Sequence, residues 1–311
     1  MVSHYRIYSG IFSEIWRGEY TCGERRHSAV VKIVRSSEGH DSFEANTAQR
    51  EFEALNHFYK LLDGHNDIAV PRPIVLFGEE NALAMNAVEG DNLFKAARRI
   101  MPWSLYGLRR IGNYFGLLGK WLTTVQIGDP LRGTIQDRSN PGVAEISRLA
   151  QLARAGGINN ELAQRAINAG KLLSDKWTKS LPVNTHGDFV PWNVLVSDKG
   201  VVLMDFTQYH LSDPEEDLSL MYSAIAGLAR FYIPRKKLGW LKRRLLVGYG
   251  RVPDQVRWLY WRIRSLLYLT SWLRHHHKDT SWRVSRGVNR LRRMYEMDLS
   301  EVLQEVEIST S

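Results

Sequence analysis

Cysteine is almost absent from the chain, which contains only Cys22. A single thiol excludes an internal disulfide framework and a cysteine-based zinc site, and it is typical of a reducing compartment. Long apolar segments are missing too, because no run approaches the roughly 18 apolar residues that a membrane-spanning helix needs. The first residues lack the basic and then apolar pattern of a secretion signal. We therefore expect a cytoplasmic globular protein.

The sequence is rich instead in the residues that build a large core. Its 311 residues are 44% hydrophobic and 24% charged, and they include 10 Trp, 13 Tyr and 10 Phe. This length and composition predict a folded protein with two domains or one two-lobed unit, and they exclude a disordered or low-complexity chain.

Positive charge is concentrated toward the C-terminal end. The window 234–297 contains 17 Lys and Arg but three acidic residues, in a chain whose net charge is +9. Such a region favours an anionic partner, namely phosphate, an acidic glycan, nucleic acid or a lipid surface, but it is equally typical of a solvated face without a partner. Because no nucleic-acid motif accompanies it, we do not expect binding to RNA or DNA.

Residues 1–90 have the pattern of short strands around one helix. Runs of β-branched and apolar residues are separated by turn residues, which indicates strands. Glu51 begins a stripe with Leu55 and Phe58 at helical spacing, which predicts a helix from about residue 43 to residue 62. The predicted strands are His4–Tyr8, Glu14–Tyr20, His27–Val34, Ile74–Phe77 and Ala82–Val88.

Beyond residue 91 the pattern is mainly helical. Trp258–Arg274 combines Trp, Leu and Tyr with arginine, so it can pack as a core helix or lie on an anionic membrane surface, and we favour the core. The helical period is absent between 183 and 204, where Val194–Val196 and Val201–Met204 are predicted strands. The predicted helices are 104–127, two within 143–180, 217–232, 235–249, 254–275 and 281–303.

A loop and the strand hairpin after it carry oxygen-bearing side chains. Asp188 and Asn193 lie on the loop, and Asp205 follows the second strand of the hairpin. Because a tight hairpin brings its two ends together, we expect Asn193 and Asp205 to be close in space. Their oxygens are ligands that Mg²⁺ prefers, and Asp188 can accept or orient the proton of an attacking hydroxyl. Taken singly, each residue also suits an ordinary role as turn former, cap or strand terminator.

These residues resemble the protein-kinase-like fold, specifically its aminoglycoside phosphotransferase and choline kinase branch. That branch has a His-Gly-Asp-x-x-x-x-Asn loop, a strand that ends in Asp-Phe or Asp-Trp, and a helix that opens with Asp-Leu. The resemblance implies an α+β, two-lobed fold with a small N-terminal β-sheet lobe that carries one helix and a larger, mainly helical C-terminal lobe. We place the nucleotide-binding lobe at residues 1–90 and the catalytic and acceptor-binding lobe at 91–311. The matching residues are His186, Gly187, Asp188, Asn193, Asp205, Phe206, Asp217 and Leu218.

The resemblance also implies a role for each residue. Asp188 becomes the catalytic base, and Asn193 and Asp205 become Mg²⁺ ligands. Lys32 on the third strand is expected to reach the nucleotide phosphates while a glutamate of the next helix holds it. The alternative for Lys32 is an exposed position on the strand face.

Three glutamates are candidates for the partner of Lys32. Glu51 lies on the apolar stripe of the predicted helix, Glu53 points about 200° further round, and Glu44 precedes the clear periodicity. We therefore favour Glu51, because a buried amine needs a partner on the buried face.

Contacts to ATP are expected from two further segments. Ser9, Gly10 and Ser13 lie where a loop covers the phosphates, although no Gly-x-Gly-x-x-Gly sequence occurs there. Asn86 and Val88 lie in a segment that resembles the linker whose backbone receives adenine. ATP and Mg²⁺ are the cofactors that the resemblance implies.

The resemblance favours a phosphotransferase that moves the γ-phosphate of ATP to a hydroxyl of a small molecule or glycan. Thr207 follows Asp205-Phe206 where protein kinases have glycine, and the eleven positions from Asp205 to Glu216 leave no room for an ordinary activation loop. A protein kinase is therefore the third choice. The second is a catalytically degenerate module on this fold that binds nucleotide or scaffolds a partner.

The acceptor is expected to be neutral or anionic. The basic window 234–297 disfavours cations such as aminoglycosides and choline. Four neighbouring acids can nevertheless build a cation site. The ring of Trp192, beside the catalytic loop, can stack on a sugar, although core packing is its more ordinary role. The four acids are Asp213, Glu215, Glu216 and Asp217.

Overall fold

An antiparallel sheet forms the N-terminal part of the molecule. The computed structural model describes residues 3–9, 13–35, 47–100, 104–131, 142–231, 233–273 and 282–310. All of the first strands except β4 pair in the order β1–β2–β3–β6–β5, so β3 is a central strand with a neighbour on each side. The strands are β1 (Ser3–Ser9), β2 (Ser13–Cys22), β3 (Arg25–Val34), β4 (Ile68–Ala69), β5 (Pro73–Phe77) and β6 (Ala82–Asn86).

Helix α1, Thr47–Leu61, packs against this sheet through its apolar face. Leu55 and Phe58 are fully buried, and burying side chains of this size stabilises the fold by about 1.5–3 kcal/mol each. Glu51 lies on the same buried face, whereas Glu53 is exposed. The predicted helix is therefore confirmed from residue 47, and residues 43–46 lie outside the described part of the chain.

Short strands lie between this sheet and the helices. The hairpin of β9 (Val194–Ser197) and β10 (Gly200–Leu203) confirms the strand prediction after the predicted catalytic loop, residues 186–193. Strands β4 and β7 (Asp91–Asn92) extend the hairpin to the order β4–β10–β9–β7. β8 and β11 pair with each other. Strands β4, β7, β8 and β11 were not predicted, because segments of two or three residues show no readable period. The later strands are β7 (Asp91–Asn92), β8 (Val183–Thr185), β9 (Val194–Ser197), β10 (Gly200–Leu203) and β11 (His210–Ser212).

Helices form most of the remaining described chain, which gives the expected α+β architecture of a β-sheet lobe and a larger helical part. Short 3₁₀ helices occupy Pro191–Asn193 and Ile225–Phe231. The helices are α2 (Leu93–Ile100), α3 (Leu105–Ile127), α4 (Gly142–Ala155), α5 (Asn160–Asp175), α6 (Glu215–Ala224), α7 (Arg235–Tyr249), α8 (Gln255–Trp272) and α9 (Trp282–Thr310).

The helix predicted at 217–232 is divided in the structure. Helix α6 begins two residues earlier, at Glu215, and ends at Ala224, where the 3₁₀ helix takes over. Pro214 precedes it, and the acidic residues that follow lie in the first turn, where the helix dipole favours negative charge. The tighter 3₁₀ turns then satisfy backbone groups that the ending α-helix leaves over.

Two apolar clusters make up the core, and the predicted catalytic loop, residues 186–193, lies between them. Phe189 belongs to the first cluster with Phe58 and Trp121, whereas the next residue, Val190, belongs to the second with Trp261. Both loop residues are fully buried. Neighbouring side chains of the loop are thus fixed in opposite halves of the core.

Helix α8 is a core helix. Tyr260, Trp261 and Leu267 are almost completely buried, and the helix packs on α4, α6 and α9. This burial confirms the core interpretation of the segment 258–274 over the membrane-surface alternative for the residues that the structure describes. Within the described ranges, no helix is both long enough and apolar enough to cross a membrane.

Helices α3 and α7 run parallel and approach each other at glycines. A Cβ atom on Gly248 of α7 would lie 1.9 Å from the carbonyl oxygen of Gly116 on α3. One on Gly112 would lie 2.1 Å from the ring of Trp240. Only glycine lets the two backbones come this close without displacing one of them.

Carboxylates from other elements balance much of the basic region. The guanidinium of Arg257 lies 2.9 Å from Glu215, and that of Arg262 lies 2.9 Å from Glu305. These cations are part of the packing between α6, α8 and α9 rather than a purely solvated face. The pairs include Arg235–Glu301, Lys242–Asp298, Arg257–Glu215, Arg262–Glu305 and Arg264–Glu216.

Candidate active site

Lys32 is buried at the centre of the N-terminal sheet. It lies on β3 between Ile15 of β2 and Leu83 of β6, and it is 5% exposed. Its ammonium nitrogen lies 2.9 Å from Glu51 Oε2 and 2.7 Å from Asp205 Oδ1. Burial alone lowers the pKa of Lys32, but the charges of Asp205 and Glu51 outweigh it and raise the pKa above its ordinary value. The lysine is therefore a fixed positive charge.

Glu51 joins α1 to the segment that carries Asp205. Besides its ion pair with Lys32, its Oε1 accepts the backbone N–H of Phe206 at 3.2 Å. The competing candidate Glu53 is exposed on the other face of α1, and Glu44 lies outside the described residues. The inward face of α1 therefore holds the glutamate that contacts the lysine.

Asp205 follows β10 with a backbone φ of +68°, a conformation that non-glycine residues rarely adopt. The hydroxyl of Thr207 donates to Asp205 Oδ1 at 2.8 Å, and Lys32 donates to the same oxygen. Burial raises the pKa of Asp205, but the charge of Lys32 and these hydrogen bonds outweigh it and lower the pKa to about 2. Asp205 is thus ionised at neutral pH, and its side chain is 44% exposed.

Asp188 and Asn193 are joined within the catalytic loop. Asn193 Nδ2 donates to Asp188 Oδ2 at 2.8 Å and to the Asp188 carbonyl at 2.9 Å. Asp188 Oδ1 is buried and has no hydrogen-bond partner among the described residues. Burial, followed by the charge of Asp205, raises the pKa of Asp188 to about 7. The unpartnered oxygen can therefore take up a proton near neutral pH.

The β9–β10 hairpin brings Asn193 and Asp205 to the same end, as the sequence predicts. Val194 pairs with Leu203, and the backbone N–H of Met204 donates to the carbonyl of Asn193 at 3.0 Å. Because Asn193 directs its amide nitrogen at Asp188, its amide oxygen faces the other way. The amide oxygen of Asn193 and the partly exposed carboxylate of Asp205 are hard oxygen atoms of the kind that a cation such as Mg²⁺ prefers. Among the described residues, no group of three or more His, Cys, Asp and Glu side chains is arranged to hold a metal ion, so a cation here needs further ligands.

His186 and Gly187 anchor the beginning of the catalytic loop. Their backbone N–H groups donate to the two carboxylate oxygens of Asp217, at 2.5 and 3.0 Å. Gly187 has φ +79°, and a Cβ there would lie 2.1 Å from the carbonyl oxygen of Gln208. The sequence pattern named Asp217, and the structure explains it as the anchor at the start of α6.

The ring of His186 is neutral and forms hydrogen bonds through both of its nitrogen atoms. Its Nε2 is 3.0 Å from the carbonyl of Met204, and its Nδ1 accepts the N–H of Asp188. Burial is the main cause that lowers the pKa of His186 to about 4. The imidazole therefore carries its proton on Nε2 and links the Asp188 loop to the strand before Asp205.

Aromatic rings pack against one another beside Asp188 and Asp205. Trp121 stacks on Phe189 with ring centroids 5.5 Å apart, and His186 lies 4.5 Å from the ring of Phe206. Phe58 of α1 contacts Phe206 at 5.1 Å. The side chains next to Asp188 and Asp205 in the sequence are thus fixed in one packed group.

The segments expected to contact nucleotide are only partly described. Ser9 ends β1 and pairs with Glu14, and Ser13 begins β2, while Gly10 lies outside the described residues. The backbone N–H of Asn86 donates to the carbonyl of Arg72 at 2.8 Å within the sheet. Val88 lies two residues beyond this bond, in the connection that leads to β7.

The acidic cluster at 213–217 does not line an open site. Glu215 binds Arg257, Glu216 binds His210 at 2.9 Å, and Asp217 holds the catalytic loop. Asp213 lies 4.0 Å from Arg257. All four carboxylates are buried, so the cation-site interpretation of this cluster is wrong.

Two aromatic side chains differ from what the sequence analysis expected or were not considered in it. Trp192 is 40% exposed and touches the edge of Phe94 at 6.4 Å, so the expectation that it packs in the core is wrong. Sequence reasoning also missed Tyr268 of α8, whose pKa is raised by burial and then by the charge of Asp188. No local pattern marks Tyr268, because it lies 80 positions from the aspartate along the chain.

Solved structures with the same fold come from several small-molecule kinases. A candidate aminoglycoside phosphotransferase from Ralstonia eutropha is 14% identical with a TM-score of 0.61, covering 97% of this chain and 92% of that one. A choline/ethanolamine kinase family protein from Mesorhizobium loti is 12% identical with a TM-score of 0.61, covering 98% and 92%. An amicoumacin kinase in complex with AMP-PNP and Ca²⁺ is 15% identical with a TM-score of 0.55, covering 93% and 87%.

Sequence comparison agrees with this likeness of folds. No curated protein sequence gives a significant match to the chain. The profile of the phosphotransferase enzyme family, however, matches residues 14–282, which include the lysine strand, the catalytic loop and the hairpin. The chain therefore belongs to the phosphotransferase enzyme family.

Proposed function

We propose that the protein transfers the γ-phosphate of ATP, with Mg²⁺, to a hydroxyl of a small molecule or glycan. The proposal depends on two groups of side chains that the fold brings close together. Lys32 pairs with Glu51 and Asp205, and Asn193 is hydrogen-bonded to Asp188. A lone buried lysine or a lone aspartate has many structural uses. A buried cation beside an exposed carboxylate, next to a carboxyl of raised pKa, is the set that phosphoryl transfer requires.

Lys32 would neutralise part of the negative charge on the phosphates of ATP. The carboxylate of Glu51 holds the ammonium group of Lys32 in place. Lys32 can therefore exchange its contact with Asp205 for a phosphate oxygen while it stays paired with Glu51. In a loose phosphoryl-transfer transition state, positioning and electrostatic stabilisation supply most of the rate. The triad therefore fits a clamp on the phosphates of ATP.

Asp205 and Asn193 are the residues that would hold Mg²⁺. The low pKa of Asp205 keeps its carboxylate charged, and its exposure leaves it accessible to a cation and to phosphate oxygens. The bound ion would neutralise phosphate charge. The amicoumacin kinase structure with AMP-PNP and Ca²⁺ supports a nucleotide and a divalent cation as the cofactors of this fold.

Asp188 is the proposed base. Its unpartnered Oδ1 takes the proton of the acceptor hydroxyl while the hydroxyl oxygen forms a bond to the γ-phosphorus. The bond between that phosphorus and the bridging oxygen of ADP breaks, and ADP leaves with the electron pair. The raised pKa of Asp188 suits a group that must accept a proton near neutral pH.

Two variants separate the base from the metal ligand. We expect Asp188→Asn to lose about 10³-fold in turnover while the melting shift caused by AMP-PNP with Mg²⁺ persists. Asp205→Asn should lose both turnover and the Mg²⁺-dependent part of that shift. Asp63, exposed just beyond the end of α1, provides a matched control, and Asp63→Asn should change neither.

The same measurements test the alternative of a degenerate nucleotide-binding module. A Mg²⁺-dependent melting shift with AMP-PNP, but no phosphorylation of any hydroxyl acceptor in a broad panel, would favour the module. Labelling of protein rather than of metabolites by [γ-³²P]ATP would favour a protein kinase. Absence of any shift with nucleotide would contradict the phosphotransferase, the protein kinase and the nucleotide-binding form of the module.

A further inference from the structure

Helices α3 and α7 share a solvent-facing surface that the proposed reaction does not use. Gly112 of α3 lies against the ring of Trp240 of α7, and the guanidinium of Arg244 donates to Asn113 Oδ1 at 3.4 Å. Because Asn113 is exposed, this hydrogen bond spans the outer side of the helix pair. The opposite sides of both helices are buried in the first apolar cluster. We name the outer side the α3–α7 face and define it by Leu105, Tyr106, Arg109, Lys236, Lys237 and Arg243.

Two cationic residues of this face lie on neighbouring turns of the two helices. Arg109 precedes Gly112 by three positions, and Lys237 precedes Trp240 by three positions. Since α3 and α7 run parallel and Gly112 contacts Trp240, Arg109 and Lys237 lie at the same level along the helix pair. Residues three positions apart on a helix share one side, so both cations lie on the side of that contact. An anion beside them would offset their mutual repulsion.

Carboxylates do not balance the charge of the α3–α7 face. Neither α3 nor α7 contains an aspartate or a glutamate. Carboxylates of other elements bind cations beside the face, Asp198 at Arg110 and Asp67 at Lys120. Among the residues that the structure describes, none forms an ion pair with the four cations of the face, which are Arg109, Lys236, Lys237 and Arg243. The face therefore carries uncompensated positive charge.

Two large apolar side chains project from the same face. Leu105 is 75% exposed and Tyr106 is 74% exposed, and they follow each other in the first turn of α3, just before Arg109. A single exposed apolar side chain is ordinary, but an adjacent pair beside unpaired cations indicates an interaction surface. Leucine and aromatic side chains combined with lysine and arginine are typical of helices that lie at a membrane interface.

A lipid surface fits this combination better than a nucleic acid or a free anion. The cations can bind the phosphates of either partner, but a leucine side chain neither stacks on a base nor forms hydrogen bonds. The face extends roughly 15 Å along α3, from Leu105 to the level of Arg243, and about 10 Å across the two helices. It thus matches a plane of several phosphates rather than one ion. A bilayer offers both that plane and an apolar layer beneath it.

We infer that the α3–α7 face docks on the surface of a membrane that contains anionic phospholipids. Arg109, Lys237 and their neighbouring cations contact the lipid phosphates, while Leu105 and Tyr106 enter the layer beneath the headgroups. The contact is peripheral and depends on salt, because much of it is electrostatic. The inference does not depend on the proposed phosphotransferase function, because no residue of the face belongs to the proposed active site.

Vesicle flotation tests the inference on the whole chain. Vesicles of phosphatidylcholine alone are compared with vesicles of phosphatidylcholine and phosphatidylglycerol at a ratio of about 7:3, in about 0.1 M KCl. We expect partitioning onto the anionic vesicles to be stronger by about tenfold or more, and to be mostly lost in about 0.5 M KCl. Equal recovery with both kinds of vesicle, bound or free, overturns the inference. Binding to an RNA duplex without binding to the anionic vesicles overturns it too.

The double variant Arg109→Gln with Lys237→Gln tests the two neighbouring cations. Each cation near an anionic membrane contributes about fivefold to partitioning, so this variant should bind the anionic vesicles about 25-fold more weakly. A matched control, Lys171→Gln with Lys179→Gln, removes two exposed cations outside the face and changes the net charge equally. We expect this control to bind as the wild type does. An equal loss in both double variants would show that net charge alone matters, which contradicts a docking face.

The variant Leu105→Ser tests the apolar contribution. It should weaken binding to the anionic vesicles by about fivefold, because less apolar surface enters the bilayer. The same change at Leu181, which is 87% exposed outside the face, serves as the matched control and should have no effect. If Leu105→Ser partitions as strongly as the wild type, this side chain does not enter the membrane and the inference is wrong.

The nucleotide measurement separates this inference from the proposed function. The melting shift with AMP-PNP and Mg²⁺ should be the same in every variant of the face, which also verifies that each is folded. If wild-type protein shows the shift but does not bind anionic vesicles, the docking face is wrong and the phosphotransferase stands. If it binds the vesicles but shows no shift, the docking face stands and the phosphotransferase is wrong.

Discussion

Lys32 and Asp205 form an ion pair of 2.7 Å although 173 positions separate them in the sequence. The pair connects the central strand of the N-terminal sheet to the end of the β9–β10 hairpin. Glu51 closes the triad from α1 and also binds the backbone next to Asp205. One buried ammonium therefore sets the relative position of three elements, and its removal should affect both stability and activity.

Lys32→Met should destabilise the protein by about 3 kcal/mol, because Glu51 is left buried without a cation. The double variant Lys32→Met with Glu51→Met removes both charges and should recover most of that loss, while turnover stays abolished in both. Urea unfolding and ATP turnover of the three proteins provide the measurement. If the double variant is no more stable than the single one, the ion pair is not the cause of the loss.

Stability should fall in acid because His186 is buried in its neutral form. Burial lowers its pKa from 6.5 to about 4, so between those values the unfolded chain binds a proton that the folded chain does not. The free energy of unfolding should therefore decrease as pH falls through this window, by about 1.4 kcal/mol per pH unit from this group. Relative to wild type, His186→Gln should lose this part of the slope in urea titrations from pH 7 to pH 4.5. Parallel pH profiles for the two proteins would contradict the assignment.

Asp217→Asn should loosen the catalytic loop. The carboxylate accepts two backbone N–H groups, from His186 and Gly187, and an amide can accept only one of them. We expect a loss of about 1–3 kcal/mol in the free energy of unfolding and a fall of about tenfold or more in kcat. The melting shift with AMP-PNP should persist, because Asp217 is outside the proposed metal site. An unchanged kcat would exclude the anchoring role.

Gly248→Ala should be among the most destabilising small substitutions on α7. The added Cβ would lie 1.9 Å from the carbonyl oxygen of Gly116, so the backbones of α3 and α7 must separate, at a cost of about 1–3 kcal/mol. Gly239 lies on the same helix, and a Cβ added there would meet no atom within 4 Å. Gly239→Ala should therefore be neutral or stabilising, by up to about 1 kcal/mol. Equal melting temperatures for the two variants would contradict the close packing.

Local patterns predicted the elements that carry the site. The run of β-branched and apolar residues in β3 placed Lys32 in a strand, the helical period of α1 favoured Glu51 over Glu53, and the short hairpin predicted that Asn193 and Asp205 are close. Each of these inferences uses residues a few positions apart, where backbone geometry alone fixes the relative directions of side chains. The lobe boundary at residue 90 and the contacts of Ser9, Gly10, Ser13, Asn86 and Val88 to nucleotide remain predictions.

Other expectations failed because long-range contacts decide them. Trp192 was expected in the core, but the loop turns its ring outward against Phe94. The acids at 213–217 have the pattern of an open cluster, yet α8 supplies the arginines that bury them. A carboxylate is an open ligand or an internal partner depending on which cation packs beside it, and the local sequence does not name that cation.

The sequence by itself determined the longer strands of the N-terminal sheet and most of the long helices, the loop that joins Asp188 to Asn193, and the hairpin that returns the chain to Asp205, because those features depend on short-range backbone geometry. Only the tertiary structure decided that Lys32 meets Asp205 and that Asp217 holds the loop. Side chains so distant along the chain come together only because burial of the two apolar clusters outweighs the entropy of closing the long loops between them.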